Sequence, residues 1–181
     1  MQVAPSQVVL QLRGRSLYQL LSAKHGHFRI EGGHIAAAAA VEQEGFPPQP
    51  HDAARHIEIA FEIAVAHDAD IDMHVDETDD PYWHSLELLA DKTIEMGYQG
   101  RVTAGHCCAM AAWDDATAAR VIEKVRRAGV NVCTNAPVNL LLQGRGDRQP
   151  VRRGIARVRE LLDAGVTVTC GQDDMMNMFY P

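Results

Sequence analysis

One joint, occurring twice, limits the fold more than any other feature of this chain. Ala128-Gly-Val-Asn-Val132 and Ala164-Gly-Val-Thr-Val168 each read as a helix end, a glycine that stops it and a buried strand. Ala164 follows Ala128 by 36 residues, which suits one strand-helix unit. Strands alternating with helices imply a parallel sheet with right-handed crossovers. An open doubly wound sheet and a (β/α) barrel both meet that condition.

The alternation extends upstream. Asp52 can cap a helix to about His67, with Ile57, Ala60, Phe61, Ile63 and Ala64 as its apolar side. In the next stretch Ile71, Met73 and Val75 alternate with Asp72, His74 and Asp76, the period of a strand. Pro81 opens a second predicted helix to about Met96, ended by Gly97. Arg101–Ala104 is the next strand, ending at Gly105-His106. Asp114 or Asp115 then starts a helix to Ala128. Val130–Cys133 is a strand, and Asn135–Arg153 reads as a loop. A helix over about Ile155–Ala164 and a strand over Val166–Cys170 follow, with Gly171-Gln-Asp-Asp174 after them. Before residue 51 the reading gives a strand stub at Gln2-Val3-Ala4, a helix over Ser16–Ala23 and a strand at His27–Ile30. The alanines 36–40 favour helix, and Gly45–Pro50 is a break.

Three strand ends carry groups that suit a metal or acid-base chemistry: His74 with Glu77, then His106, then Asp173 with Asp174. His74 and His106 are 32 residues apart, and His106 and Asp173 are 67 apart, about one unit and then two. All three therefore fall at one end of the sheet. In a flat sheet the outer pair would be roughly 14 Å apart, at about 4.8 Å per strand. In a barrel such ends converge, so the constellation favours the barrel. Each group alone has an ordinary reading. A histidine at a strand end usually just hydrogen-bonds, an Asp pair after a strand usually caps a helix, and Glu77 fits a solvated acidic loop. Order and spacing together favour a site. Imidazole and carboxylate suit a divalent transition metal such as zinc or iron. Such an ion lowers the pKa of a bound water toward ~7, and Glu77 is placed to move the proton. His25, His27, His51, His56, His67 and His84 lack this register and read as surface or packing residues.

Composition sets the outer limits. The 181 residues are 46% hydrophobic and 23% charged, enough for one globular domain over residues 1–181. The net charge of -7 argues against nucleic acid or an anionic membrane as partner. No apolar run is long enough to span a bilayer, and the start has no secretory pattern. Cys107, Cys108, Cys133 and Cys170 lie in apolar strand-like contexts and read as reduced core thiols of a cytoplasmic protein.

Several segments resemble bacterial cytosine deaminase and its relatives in the amidohydrolase superfamily. They are His74-Val-Asp-Glu77, Thr103-Ala-Gly-His-Cys-Cys-Ala-Met110, Asn139-Leu-Leu-Leu-Gln-Gly-Arg145, Arg153-Gly-Ile-Ala-Arg-Val158 and Gly171-Gln-Asp-Asp174 with Tyr180-Pro181. They occur in the family's order through most of residues 51–181. The resemblance implies a TIM-type (β/α)8 barrel that hydrolytically deaminates cytosine or a related nitrogen heterocycle. His74 would be a ligand of one divalent metal ion, Fe or Zn. Glu77 would shuttle a proton to the ring nitrogen, and His106 would hold the metal-bound water. Asp173 would be both metal ligand and base. Asp174 and Phe179 would border the substrate, and Gln7 would match a substrate-binding glutamine after the third strand. The His-x-Glu and Pro-Cys-x-x-Cys signature of the small zinc deaminases is absent.

The family's His-x-His pair, which supplies two metal ligands from the first strand, has no counterpart at the expected place. The resemblance therefore implies an incomplete barrel of about six strand-helix units, third to eighth, with reduced metal affinity. A barrel with missing strands has open edges, which favours a homo-oligomer. Two rival readings follow. One is an inactive fragment or degenerate non-enzymatic copy. The other keeps the chemistry and changes the ring to isocytosine, a creatinine-like compound or an N-alkyl triazine.

Overall fold

A computed structural model of the chain describes residues 6–12, 27–31, 34–39, 50–144, 148 and 154–173, the first three segments through their backbone pairing. Seven strands form one sheet in the order β2-β3-β1-β4-β5-β6-β7. They are β1 (Ser6–Leu12), β2 (His27–Glu31), β3 (His34–Ala39), β4 (Ala69–Val75), β5 (Val102–His106), β6 (Asn131–Thr134) and β7 (Val168–Cys170). The helices are α1 (Pro50–His67), α2 (Ser85–Glu95), α3 (Asp115–Ala128), α4 (Ala136–Leu142) and α5 (Val158–Asp163).

Strands β4 to β7 are parallel, each reached through a helix, as the repeated joint requires. This part is a segment of a TIM-type barrel, and the barrel is not closed among the described residues. On one face of β4 Ala69, Ile71, Met73 and Val75 are buried under helices, while Asp70, Asp72 and His74 are half-buried on the other. Phe61, Leu86, Leu89, Val121, Val125 and Leu161 complete the helix-side core.

Helix α3 shows why the elements stop where they do. Asp114 accepts the Thr117 amide at 2.9 Å and its hydroxyl at 2.8 Å. Gly129 closes the helix at φ +58, a conformation an L side chain rarely adopts. At the end of the sheet away from the site, Arg101 pairs with Asp70 at 2.6 Å and Asp68 at 2.8 Å. Its guanidinium also lies 4.5 Å above the Tyr98 ring. That end of β4 and β5 is thereby fixed.

The sequence expectations depart from the structure in several places. Strand β1 pairs antiparallel with both β3 and β4, and β2 pairs antiparallel with β3, so these three strands are not successive parallel barrel units. The two-residue link between β2 and β3 allows only an antiparallel hairpin. Alanines 36–39 lie in β3, not in a helix. Ala36 pairs with Val9 on one side and Arg29 on the other, and pairing on both edges outweighs a helix preference of a few tenths of a kcal/mol per residue. Helix α2 begins at Ser85, because the segment after Pro81 is held in a turn by Asp80, which accepts the Tyr82 amide at 2.9 Å. The predicted loop after β6 contains α4, with a proline in its first turn. All four cysteines are free; Cys107 and Cys108 are buried, Cys133 is half-buried and Cys170 is exposed on the edge strand β7. The stub at Gln2-Val3-Ala4 and the helix over Ser16–Ala23 lie outside the described residues.

Candidate active site

The ends of β4, β5 and β7 bring three side chains together. His106 Nε2 lies 3.0 Å from His74 Nδ1 and 3.3 Å from Asp173 Oδ1, and His74 Nδ1 lies 3.9 Å from the same oxygen. Side chains carried at the ends of the first and fourth parallel strands thus approach to 3.9 Å, where a flat sheet would hold the strands themselves roughly 14 Å apart. Curvature of the sheet builds the site.

Local backbone geometry aims each group. His106 and Asp173 have φ of +67 and +77, left-handed values that cost energy for a residue with a Cβ. Each turns its strand end so that the side chain faces the His74 ring. Gly105 leaves the space in which that ring lies. A Cβ there would stand 2.9 Å from His74 Cδ2.

Glu77 approaches from the loop after β4. Its Oε1 is 3.3 Å from His106 Nδ1, and it accepts from Asn139 Nδ2 at 3.4 Å. Asn139 Oδ1 lies 3.1 Å from His106 Nδ1, and Asn135 Nδ2 lies 3.1 Å from His106 Nε2. His106 is fully buried, and among the described residues its ring meets these groups and the two other members of the cluster.

The electrostatics follow from burial and proximity. Burial, and then the charge of neighbouring His106, lower the His74 pKa to about 4. Burial also opposes charge on His106. The hydrogen bond to Asp173, helped by the Glu77 and Asp173 charges and by Asn139, outweighs it and leaves that imidazole above the ordinary histidine value. Asp173 is held below the usual carboxylate range, chiefly by His106. Burial raises Glu77. One carboxylate is thus held ionised and another pushed toward its acid form a few ångströms away, the division of labour that acid-base chemistry needs.

The donor set fits a transition-metal ion. Around a tetrahedral zinc ion at ~2.0–2.1 Å the donor atoms are about 3.4 Å apart. Here the spacings are 3.0, 3.3 and 3.9 Å, from two imidazole nitrogens and one carboxylate oxygen. All lie within 4.8 Å of one another.

Among the other predicted site residues, Gln7 lies in β1 and not after a strand. The pairing of Val8 with Met73 puts it at the end of the sheet that carries His74. Asp174 and Phe179 lie outside the described residues. His84 packs, as expected, with its ring stacked on Trp113 at 4.8 Å. Sequence reasoning missed Asn135 and Asn139. Asn135 follows β6 by one residue, the same strand-end register that singles out the histidines. It also missed Asp76, whose buried carboxylate accepts the Ser85 and Leu86 amides at 2.8 and 2.9 Å.

The family profile described as the amidohydrolase family matches residues 9–181. Among curated proteins, a pterin deaminase of Rhizobium rhizogenes is 39% identical over 118 residues, 65% of this chain and 27% of the relative. N-isopropylammelide isopropyl amidohydrolase of Pseudomonas sp. strain ADP is 27% identical over 125 residues, 69% of this chain and 28% of the relative. Among solved structures, 5-methylcytosine deaminase from Klebsiella pneumoniae bound to 5-fluorocytosine superposes with a TM-score of 0.69 at 33% identity. That match covers 74% of this chain and 32% of the other. The chain therefore spans about a third or less of the length of these relatives. With a profile match over nearly its whole length and its polar cluster at the strand ends of a partial barrel, the chain belongs to the amidohydrolase family.

Proposed function

We propose that this chain carries part of the active site of a metal-dependent hydrolase that removes an amine from a nitrogen heterocycle such as cytosine, 5-methylcytosine or a pterin. The observation that carries the reading is the convergence of His74, His106 and Asp173 from three strand ends. The deaminases among the similar proteins support the substrate class.

On this reading His74 and Asp173 hold a single divalent ion, zinc or iron, with His106 beside them. The ion would supply Lewis acidity that makes a water reactive near neutral pH. Asp173, held ionised, would accept a proton from a water attacking the ring. His106 would orient that water. Glu77, pushed toward its protonated form by burial, donates to the ring nitrogen as the new C–O bond forms. As the C–N bond breaks, Asp173 would pass its proton to the amine, which leaves as ammonia, and the new hydroxyl would give its proton back to Glu77 and become the carbonyl. Gln7, Asp174 and Phe179 are the proposed substrate contacts.

A second reading is binding without turnover. It is favoured by the ligand count of the first reading, since His74 and Asp173 alone make a lean set for tight retention of an ion. One experiment separates the two. The purified chain is loaded with zinc or iron, its metal content is measured, and ammonia release is followed over cytosine, 5-methylcytosine, a pterin and an N-alkyl triazine. Stoichiometric metal with release from one of these rings supports the enzyme. Metal or ring binding with no release from any of them leaves the binder.

A further inference from the structure

The segment Gly154-Ile-Ala-Arg157 carries no member of the cluster, yet it lies against the 3-10 turn Cys108–Ala112, which begins two residues after His106. A Cβ at Gly154 would stand 2.6 Å from the Cys108 carbonyl oxygen and 3.3 Å from the Ala111 Cβ. No positive φ demands glycine there, so the close approach accounts for it. Arg157, just before α5, donates from Nε to the Met110 carbonyl at 2.9 Å and from Nη2 to the Trp113 carbonyl at 2.5 Å. One guanidinium thus spans two carbonyls at the end of the turn. Trp113 extends the contact, because its Nε1 donates at 3.1 Å to the Trp83 carbonyl in the loop that carries Glu77.

Ion pairing explains little of this arrangement. The carboxylate partners of Arg157 are Asp115, 96% exposed, and Glu160, 49% exposed, and pairs at that exposure contribute little. The carbonyl bonds are part-buried and come from a charged donor, which makes them the stronger set. What the turn holds in place is the backbone at His106. The Cys107 amide donates to the Val75 carbonyl and the Ala109 amide to the Asp76 carbonyl, each at 3.0 Å. His106 and Cys107 have φ of +67 and +53, values that persist only where such contacts hold them.

We propose that Arg157 is a positioning residue, seated by the close approach at Gly154: its guanidinium pins the Met110 and Trp113 carbonyls, and through that turn it holds the backbone that aims His106 into the site. The inference rests on the proposed site, but its first test needs no turnover. Amide hydrogen exchange is measured in the wild type and in Arg157→Met, which keeps the apolar stem and loses the donors. The Cys107 and Ala109 amides should exchange at least about 10-fold faster. A crystal structure of the variant should show the His106–Asp173 contact opened beyond 3.3 Å. Asp115→Asn, which breaks only an exposed ion pair, should change neither. Tyr98→Phe loses a buried hydrogen bond to the Ala69 carbonyl at the far end of the sheet. It should lower the unfolding midpoint and leave those two amides alone, which separates positioning from general stability. Gly154→Ala pushes on the Cys108 carbonyl from the other side and should displace His106 as well; it decides the matter where Arg157→Met does not fold. In a chain that releases ammonia, Arg157→Met should lower kcat and leave KM unchanged, because His106 orients the water and not the ring. Unchanged exchange at Cys107 and Ala109 in folded Arg157→Met overturns the inference, as does equal acceleration in Tyr98→Phe. So does a Gly154→Ala structure with His106 unmoved. Faster exchange in a chain with no ammonia release contradicts only the enzyme reading. Release with both amides unaffected contradicts only the role of Arg157.

Discussion

Replacing Asp76 by alanine should lower the stability of the chain by about 3 kcal/mol. The figure comes from what the carboxylate does. It is 5% exposed and accepts the first two amides of α2, Ser85 at 2.8 Å and Leu86 at 2.9 Å. Those amides belong to the set that a helix cannot satisfy internally. No nearer side chain takes them, since His84, at the cap position, makes no capping bond. Alanine leaves both amides buried and unpaired, at about 1–3 kcal/mol each. Part of that cost is returned, because the folded protein no longer buries an ionisable group that burial pushes above the usual carboxylate range. A net loss of about 2–4 kcal/mol remains. Urea unfolding should show a midpoint lower by roughly 1–3 M for a loss of about 3 kcal/mol and m-values of ~1–3 kcal/mol/M.

The pH dependence has a definite sign. A carboxyl whose folded pKa is raised binds more protons in the folded chain across the window between its ordinary and its raised value. Its contribution is full below the ordinary value and declines as pH rises through the raised one. The stability gap between the wild type and Asp76→Asn should therefore be wider in acid than at neutral pH. Hydrogen exchange adds a local readout, since the Ser85 and Leu86 amides should exchange faster in Asp76→Ala while the α3 amides do not. Unchanged exchange at those two amides, together with an unmoved urea midpoint, would refute the argument. The cap would then be formed by something other than this carboxylate.

Three further predictions concern the site. Gly105→Ala should fold, because no positive φ demands glycine there. Its Cβ at 2.9 Å from His74 Cδ2 should push the ring aside and weaken zinc binding ~10–100-fold by calorimetry. His74→Ala and Asp173→Asn should each reduce zinc uptake by ~100-fold or more in equilibrium dialysis, while His67→Ala should leave it unchanged. His74, lowered to about 4, is neutral in the folded chain over a range where an unfolded histidine is charged. Its contribution to stability should rise as pH increases from about 4 to the ordinary histidine value, and the slope should flatten in His74→Gln when unfolding is followed across that range.

Legibility in the sequence tracked the range of the interaction. The parallel strands and the helices between them were readable because burial on one face imposes a period over a few residues, as at Ile71, Met73 and Val75. The convergence of His74, His106 and Asp173 was readable because the strand-helix unit has a nearly fixed length. Counting residues therefore became counting strands. What failed depended on partners far along the chain. Alanines 36–39 prefer helix until Val9 and Arg29 pair with Ala36 from either side. The start of α2 is set by a carboxylate nine residues before Ser85. Helix α4 was missed because seven residues are too few for a periodic signal, and with it the two asparagines that orient His106.

The strained residues tie these strands of argument together. Among the described residues, five other than glycine have positive φ, and four of them are Asp76, His106, Cys107 and Asp173. Those four follow or end β4, β5 and β7 at the end of the sheet where the cluster lies. A left-handed residue with a Cβ costs of order 1–3 kcal/mol and persists only where neighbouring contacts hold it. Each contact here is visible. The Asp76 carbonyl accepts the Ala109 amide at 3.0 Å, and the Cys107 amide donates to the Val75 carbonyl at 3.0 Å. The Gly171 amide donates to the Thr134 carbonyl at 2.9 Å just before Asp173. The bends that bring two imidazoles and a carboxylate to one point are thus held by hydrogen bonds between successive strand ends. Removing a neighbouring strand end would release the bend along with the side chain it aims. Chemistry and curvature in this sheet therefore depend on the same few backbone contacts.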